Sequence, residues 1–207
     1  MTIVEERQQA GGPTEHNGAA ARRAMIDSQL RTSGVNAEYV LARMMAVARE
    51  DFVPANTRGI AYIDRAIALG NGRYLAAPVV QGLMLQEARP IGSDKALLVD
   101  GGSGYMAELL RPLTGSLEVL SPADAVAASR KRGDFTLLVI DGAVEHLPGA
   151  LVQRLADGAR VVTGLICNGL TRLAVGRKAA GEVGLFALAE VGIPVLPEFA
   201  AKREWSF

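Results

Sequence analysis

Six consecutive residues, Asp100-Gly101-Gly102-Ser103-Gly104-Tyr105, carry the clearest chemical signal in the chain. They follow the apolar run Ala96-Leu97-Leu98-Val99 and precede a helical pattern. Glycines so closely spaced let a backbone turn tightly and approach a ligand, and the free N–H groups opening the next helix favour an anion. The chemistry this predicts is a nucleotide-type cofactor cradle built from Asp100, Gly101, Gly102, Ser103 and Gly104. The same residues also read as a tight strand-to-helix turn that binds nothing. Gly102-Ser103-Gly104-Tyr105-Met106-Ala107 matches the dinucleotide fingerprint G-x-G-x-x-A. That reading wants an acid about 20 residues further on to hold a ribose. The next strand ends Leu120-Ser121-Pro122, with Glu118 inside it and Asp124 beyond it, so a nicotinamide-dependent oxidoreductase fits poorly. His16 and His146 offer little general-base chemistry, and no catalytic residue is assigned. Asp141-Gly142 closes another apolar run at the ligand edge of the expected sheet, either as a ligand contact or as a structural turn.

The bulk composition narrows the function classes. Of 207 residues, 49% are hydrophobic and 21% charged, which suits one α/β unit with a sizeable core. Lysine plus arginine number 22 and aspartate plus glutamate 22. This balance gives no global electrostatic reason to bind nucleic acid or an acidic membrane. The single cysteine, Cys167, excludes an intrachain disulfide and argues against a cysteine-based metal site. It reads as a small buried hydrophobe. No apolar run reaches the roughly 18 residues of a membrane span, and the polar N-terminus is no signal peptide. The expectation is a cytoplasmic protein without a metal.

The elements that must position the loop follow from patterning. Residues 1–18, with Gly11-Gly12-Pro13, read as a disordered arm. Residues 19–94 read as a helical extension packed on the core: a helix from Arg22 to Ser33, a second from Asn36 as N-cap to Ala48, a short mixed stretch from Ile60 to Leu69, a turn at Gly70-Asn71-Gly72, and a helix from Pro78 to Glu87. The stripe Val40, Leu41, Met44, Met45 is core or a homodimer face. Residues 95–207 form the α/β core, one globular unit with the extension. Strands Ala96–Val99, Ser116–Leu120, Phe135–Asp141 and Arg160–Ile166 alternate with helices Tyr105–Leu110, Ala123–Lys131 and Gly149–Ala156, the signature of a doubly wound parallel sheet. Leu170–Lys178 and Val183–Val191, joined at Ala180-Gly181, read as an antiparallel hairpin closing one edge. Trp205 and Phe207 are expected to dock the C-terminus.

Specific runs, in order, resemble the protein-L-isoaspartate O-methyltransferase family from about Arg22 to Phe207. They are Asp27-Ser28-Gln29-Leu30-Arg31; Asp51-Phe52-Val53-Pro54 followed by Ala61-Tyr62-Ile63-Asp64; Gly102-Ser103-Gly104-Tyr105; and Leu155-Ala156-Asp157-Gly158-Ala159-Arg160. The Phe52 to Asp64 segment is the most telling, because general nucleotide-binding folds lack it. The ending, Pro194-Val195-Leu196-Pro197 with Phe199 and Trp205-Ser206-Phe207, is similar to a shorter bacterial branch of the family. The resemblance implies a Rossmann-like class I methyltransferase fold, S-adenosylmethionine as cofactor, and a protein or peptide as partner. It places cofactor contacts at Asp100 to Gly104, Ser121, Asp141 and Gly142, and substrate contacts at Asp64, Ala76, Ala77 and Pro78.

Four departures from the family pattern fall at those places. Aligned on Gly104-Tyr105, the family's motif acid is Leu98 and its first glycine is Asp100. The Asp100 carboxylate would lie near the cofactor's own carboxylate, and like charges about 4 Å apart repel by roughly 1 kcal/mol in water and several times that in a drier site. Its alternative partner is the cofactor's ammonium. Ser121 stands where an acid would hold the ribose hydroxyls, and a serine cannot accept a bidentate, charge-assisted pair. Only fourteen residues, Ser121 to Asp134, precede the next strand, too few for the family's additional strand and helix, so a six-stranded sheet is expected. Ala76 and Ala77 replace the hydroxyl and amide that would recognise an isoaspartyl carboxylate. The competing functions are therefore an active methyltransferase, a non-catalytic binding or scaffold protein on the same fold, and a glycine-loop site re-tuned to another nucleotide.

Overall fold

A computed structural model describes residues 13–127 and 133–201, with residues 13–17 as backbone only. Helix α1 (Pro13–Met25) runs on through a π turn (Ile26–Leu30) and a 3-10 turn (Arg31–Ser33), and Gly34 ends it at φ 88°. The expected disordered arm of residues 1–18 is thus corrected from Pro13 onward. Proline is suited to the first helical position, and the alanines that follow are strong helix formers. The rest of the arm lies outside the described residues, as do Trp205 and Phe207. Helix α2 (Glu38–Ala46) has Ala37, not Asn36, at its N-cap. Gln86 supplies the capping instead, its Oε1 accepting from the N–H groups of Asn36 and Ala37. Val40, Leu41 and Met44 are buried in the core, and Met45 packs against it partly buried.

The stretch read as short and mixed, Ile60 to Leu69, follows a 3-10 turn (Ala55–Ile60) and runs into strand β1 (Ile67–Gly70), which pairs with β2 (Arg73–Leu75) across Gly70-Asn71-Gly72. The extension therefore includes a hairpin as well as helices. Helix α3 (Pro78–Ala88) is buried on nearly all sides, as an all-round apolar helix must be.

Next come β3 (Lys95–Val99), α4 (Tyr105–Leu110), β4 (Ser116–Leu120), α5 (Pro122–Val126), β5 (Phe135–Val144), α6 (Gly149–Val152), β6 (Leu155–Cys167), β7 (Leu170–Ala179) and β8 (Glu182–Glu190). Helix α5 stops at Val126 rather than Lys131, and residues 128–132 lie outside the described ones. Helix α6 is one turn and stops short of Ala156, because Leu155 already pairs with Phe135 as the start of β6. Cys167 is half-buried at the end of β6, not a core residue.

The main sheet has six strands in the order β4-β3-β5-β6-β7-β8; the pairings among the first four are parallel, and those of β7 with β6 and with β8 are antiparallel. This is the mixed Rossmann-like sheet expected. Strands β6, β7 and β8 form one meander through the turns Asn168-Gly169 and Ala180-Gly181, all four residues having positive φ, as two-residue hairpins require.

Strand alternation divides the core into two layers. Ala96, Leu98, Leu137 and Val139 face α1 to α4; Leu97, Val99, Leu138 and Ile140 face α5, α6, Leu196 and Phe199. No helix among the described residues is long and apolar enough to cross a membrane. No group of three or more His, Cys, Asp or Glu among them could hold a metal ion.

Candidate functional site

Strand β3 lies between β4 and β5, so its carboxyl end is a switch point of the sheet, where open α/β folds leave a crevice. The glycine loop occupies that point. Gly102 (φ 110°) and Gly104 (φ 76°) make the turn, and Gly104 is the N-cap of α4. The Asp100 carboxylate folds back on the loop. Its Oδ2 accepts from Gly102 N at 2.9 Å and its Oδ1 from Gly104 N at 3.0 Å. Ser103 Oγ accepts from Tyr105 N at 3.2 Å. The amides that would face an anionic ligand are thus engaged by the chain's own carboxylate. Burial raises the pKa of Asp100, and the two N–H groups and Arg73 oppose the rise.

Gly101 is where β3 and β5 press together: a Cβ there would lie 2.3 Å from the backbone oxygen of Asp141. The side chain of Asp141 is buried beside the loop, and both its oxygens accept from Gln81 Nε2, at 3.2 and 3.4 Å. Gln81 Oε1 in turn accepts from Arg49 Nη1 at 2.6 Å. Arg49 is fully buried, donates from Nε to Ala61 O at 2.8 Å and from Nη2 to Ala76 O, and lies over the ring of Tyr105. A polar chain Arg49–Gln81–Asp141 therefore runs from the extension to the loop.

Burial first, and the charge of Asp100 second, push the Asp141 carboxyl up to about 7, against the pull of Gln81 and Arg49. Between about 4, the ordinary aspartate value, and about 7, the folded chain holds a proton that the unfolded chain has lost. Stability should therefore fall as pH rises through that window and level off above it. Urea unfolding at pH 5 and pH 8 tests this: the parent should lose about 3 kcal/mol more than Asp141→Asn between the two pH values. An equal loss in both proteins would remove Asp141 as the cause.

The other site residues fall into place around this chain. Gly142 lies under Leu196, whose Cγ would be 2.4 Å from a Cβ at that position. Asp64 Oδ1 accepts from Val79 N at 3.3 Å, which brings Asp64 to the start of α3 beside Ala76, Ala77 and Pro78. Ser121 is used as the N-cap of α5: its Oγ accepts from Asp124 N at 3.1 Å and donates to Asp124 Oδ2 at 2.6 Å.

Five further residues carry no site role in the sequence reading. Gln81 left a trace, as the lone polar residue in Pro78 to Leu85. Arg49, Arg73 and Glu198 look like ordinary charges, and Leu196 like any core leucine. Yet Arg73 lies along Gly102, with Cγ 3.1 Å from a Cβ built there, and pairs through both guanidinium nitrogens with Glu198, Nη1 lying 3.2 Å from Oε2.

The family model for protein-L-isoaspartate(D-aspartate) O-methyltransferase matches residues 20–121. The match stops at Ser121, the N-cap of α5. A protein-L-isoaspartate O-methyltransferase of Koribacter versatilis is 31% identical over 198 residues, covering 84% of this chain and 89% of the relative. Protein-L-isoaspartate O-methyltransferase 2 of an Anaeromyxobacter species is 32% identical over 165 residues, 68% of each chain. Among solved structures, a Plasmodium falciparum protein described as a protein-L-isoaspartate O-methyltransferase, in complex with S-adenosyl-L-homocysteine, superposes with a TM-score of 0.68. It is 17% identical, and the match covers 88% of this chain and 99% of that one.

Proposed function

The chain belongs to the protein-L-isoaspartate O-methyltransferase family, and from that premise we propose that its glycine-loop cleft is an S-adenosylmethionine site for methyl transfer to a carboxylate of a protein or peptide, closed in this conformation by the chain's own side chains. One observation carries the reading: at the switch point of the sheet, the N–H groups of Gly102 and Gly104 already hold a carboxylate, that of Asp100. This is the chemistry that the amino-acid end of the cofactor offers, and the residues fit that end once Asp100 turns away. They do not fit the ribose end in the family's manner, because Ser121 is no acid and is paired with Asp124.

The cofactor, when bound, supplies a methyl group already activated on a sulfonium. A carboxylate acceptor is ionised at neutral pH, so the chain needs no general base. Its own task is placement and exclusion of water. Leu196 covers Gly142 and shields that edge of the loop from water. Asp64 and the start of α3 form the wall from which an acceptor would be oriented. A cytoplasmic location belongs to this proposal and is supported by the single, unpaired Cys167.

A second reading, a non-catalytic binding protein on the methyltransferase fold, is favoured by Asp100 filling its own loop and by alanine at positions 76 and 77. Calorimetric titration with S-adenosylmethionine and S-adenosylhomocysteine separates the two. Micromolar binding, with transfer of labelled methyl to a β-aspartyl peptide, is the result expected of the first. No binding up to about millimolar ligand leaves the second.

A further inference from the structure

After β8 the chain returns to the sheet and crosses the carboxyl end of β5. Ala143 N donates to Pro194 O at 2.8 Å and Leu196 N to Ala143 O at 2.9 Å. Val195 forms a parallel bridge with Ala143. Leu196 covers Gly142, and Phe199 is fully buried in the layer that holds Ala125. These anchors place Glu198 opposite Arg73, a residue 125 positions earlier, on the hairpin that overhangs the loop. Two guanidinium nitrogens meet two carboxylate oxygens, the fork geometry by which arginine recognises a carboxylate. The pair is only about a quarter exposed. Beneath it lies Gly102, whose N–H holds the second internal carboxylate, Asp100.

We propose that Arg73 is the carboxylate-recognising residue of this cleft, and that Glu198 occupies it as an internal stand-in for a carboxylate brought by a ligand. The inference rests on the cleft assignment made above and adds to it a specificity residue and an intramolecular competitor. The shared chemistry is a carboxylate, which has two sources: the amino-acid end of the cofactor, or the acceptor peptide. Arg73 is unsuited to a neutral ligand, since removing both carboxylates would leave a partly buried cation beside the loop.

The test uses the full chain and two variants, Glu198→Gln and Arg73→Gln. Three probes are titrated by calorimetry: S-adenosylhomocysteine, 5′-methylthioadenosine, which lacks the amino-acid carboxylate, and a peptide with a β-aspartyl linkage. Glu198→Gln should strengthen binding of one carboxylate probe by about 10-fold, the worth of one charge-assisted contact freed for the ligand. Arg73→Gln should weaken that same probe, and neither change should move 5′-methylthioadenosine. The probe that responds identifies the source. Equal effects on all three probes, or no effect of either change on any, would overturn the inference. If S-adenosylhomocysteine binds no form while the peptide binds Glu198→Gln through Arg73, the cofactor assignment fails and the role of Arg73 stands. If S-adenosylhomocysteine binds all three forms equally and the peptide is indifferent too, the cofactor assignment stands and the role of Arg73 fails. A far-UV spectrum and urea midpoint for each variant show that it is folded.

Discussion

Arg49→Leu should melt about 10 °C below the parent. The substitution removes the donor from Ala61 O, Ala76 O and Gln81 Oε1 at once, in a place with no access to water. A buried acceptor left without its donor costs about 1–3 kcal/mol, so a loss near 4 kcal/mol is a moderate sum for three. In a chain of this size each kcal/mol moves the midpoint by about 2–4 °C. The guanidinium also lies over the ring of Tyr105, 5.2 Å from its centroid, and burial already pulls its pKa below the ordinary arginine value. A charge held at that cost indicates that its three bonds carry the interaction. Differential scanning calorimetry checks the result. A shift under about 3 °C would mean that the surrounding loops rearrange to satisfy their own carbonyls. Arg49→Lys should fall between, because one ammonium cannot reach three acceptors spread across a planar fork.

Gly101→Ala should cost more than 3 kcal/mol, roughly the upper range for overpacking, although it adds one methyl group. The reason is the 2.3 Å separation between a Cβ at this position and the backbone oxygen of Asp141. A flexible side chain could swing aside from such a contact, but a strand oxygen cannot move without separating β3 from β5. Gly149→Ala is the control, since a Cβ there meets nothing within 4 Å. It should change stability by no more than about 0.5 kcal/mol. Urea midpoints of the two variants decide the matter, and similar values would show that the β3–β5 approach is soft.

The architecture was legible because burial writes itself into strands with period two. Leu97 and Leu98 point to opposite layers, as do Leu138 and Val139, and the six-strand count followed from the fourteen-residue interval after β4. The β1–β2 hairpin leaves no signal in the sequence because its strands are only four and three residues long, too short for a period to register. Asn36 has the residue type of a cap but does not act as one, because Gln86, fifty residues away, does that work. The loop at Asp100 was found, but not what fills it. An aspartate two residues before a glycine N–H can turn toward a ligand or toward its own backbone, and composition does not distinguish them. Arg49, Gln81 and Asp141 come from three separate elements, and their alignment depends on the packing of α3 against the sheet. The pairing of Arg73 with Glu198 lies further beyond reach, since it depends on where the last strand delivers the chain.

That last pairing also sets an order in time. A chain made from its N-terminus contains Arg73, β3 and the glycine loop well before residue 198 exists, whereas a domain folds as a unit. The guanidinium fork of Arg73 therefore has no Glu198 to pair with until the segment beyond β8 has been made.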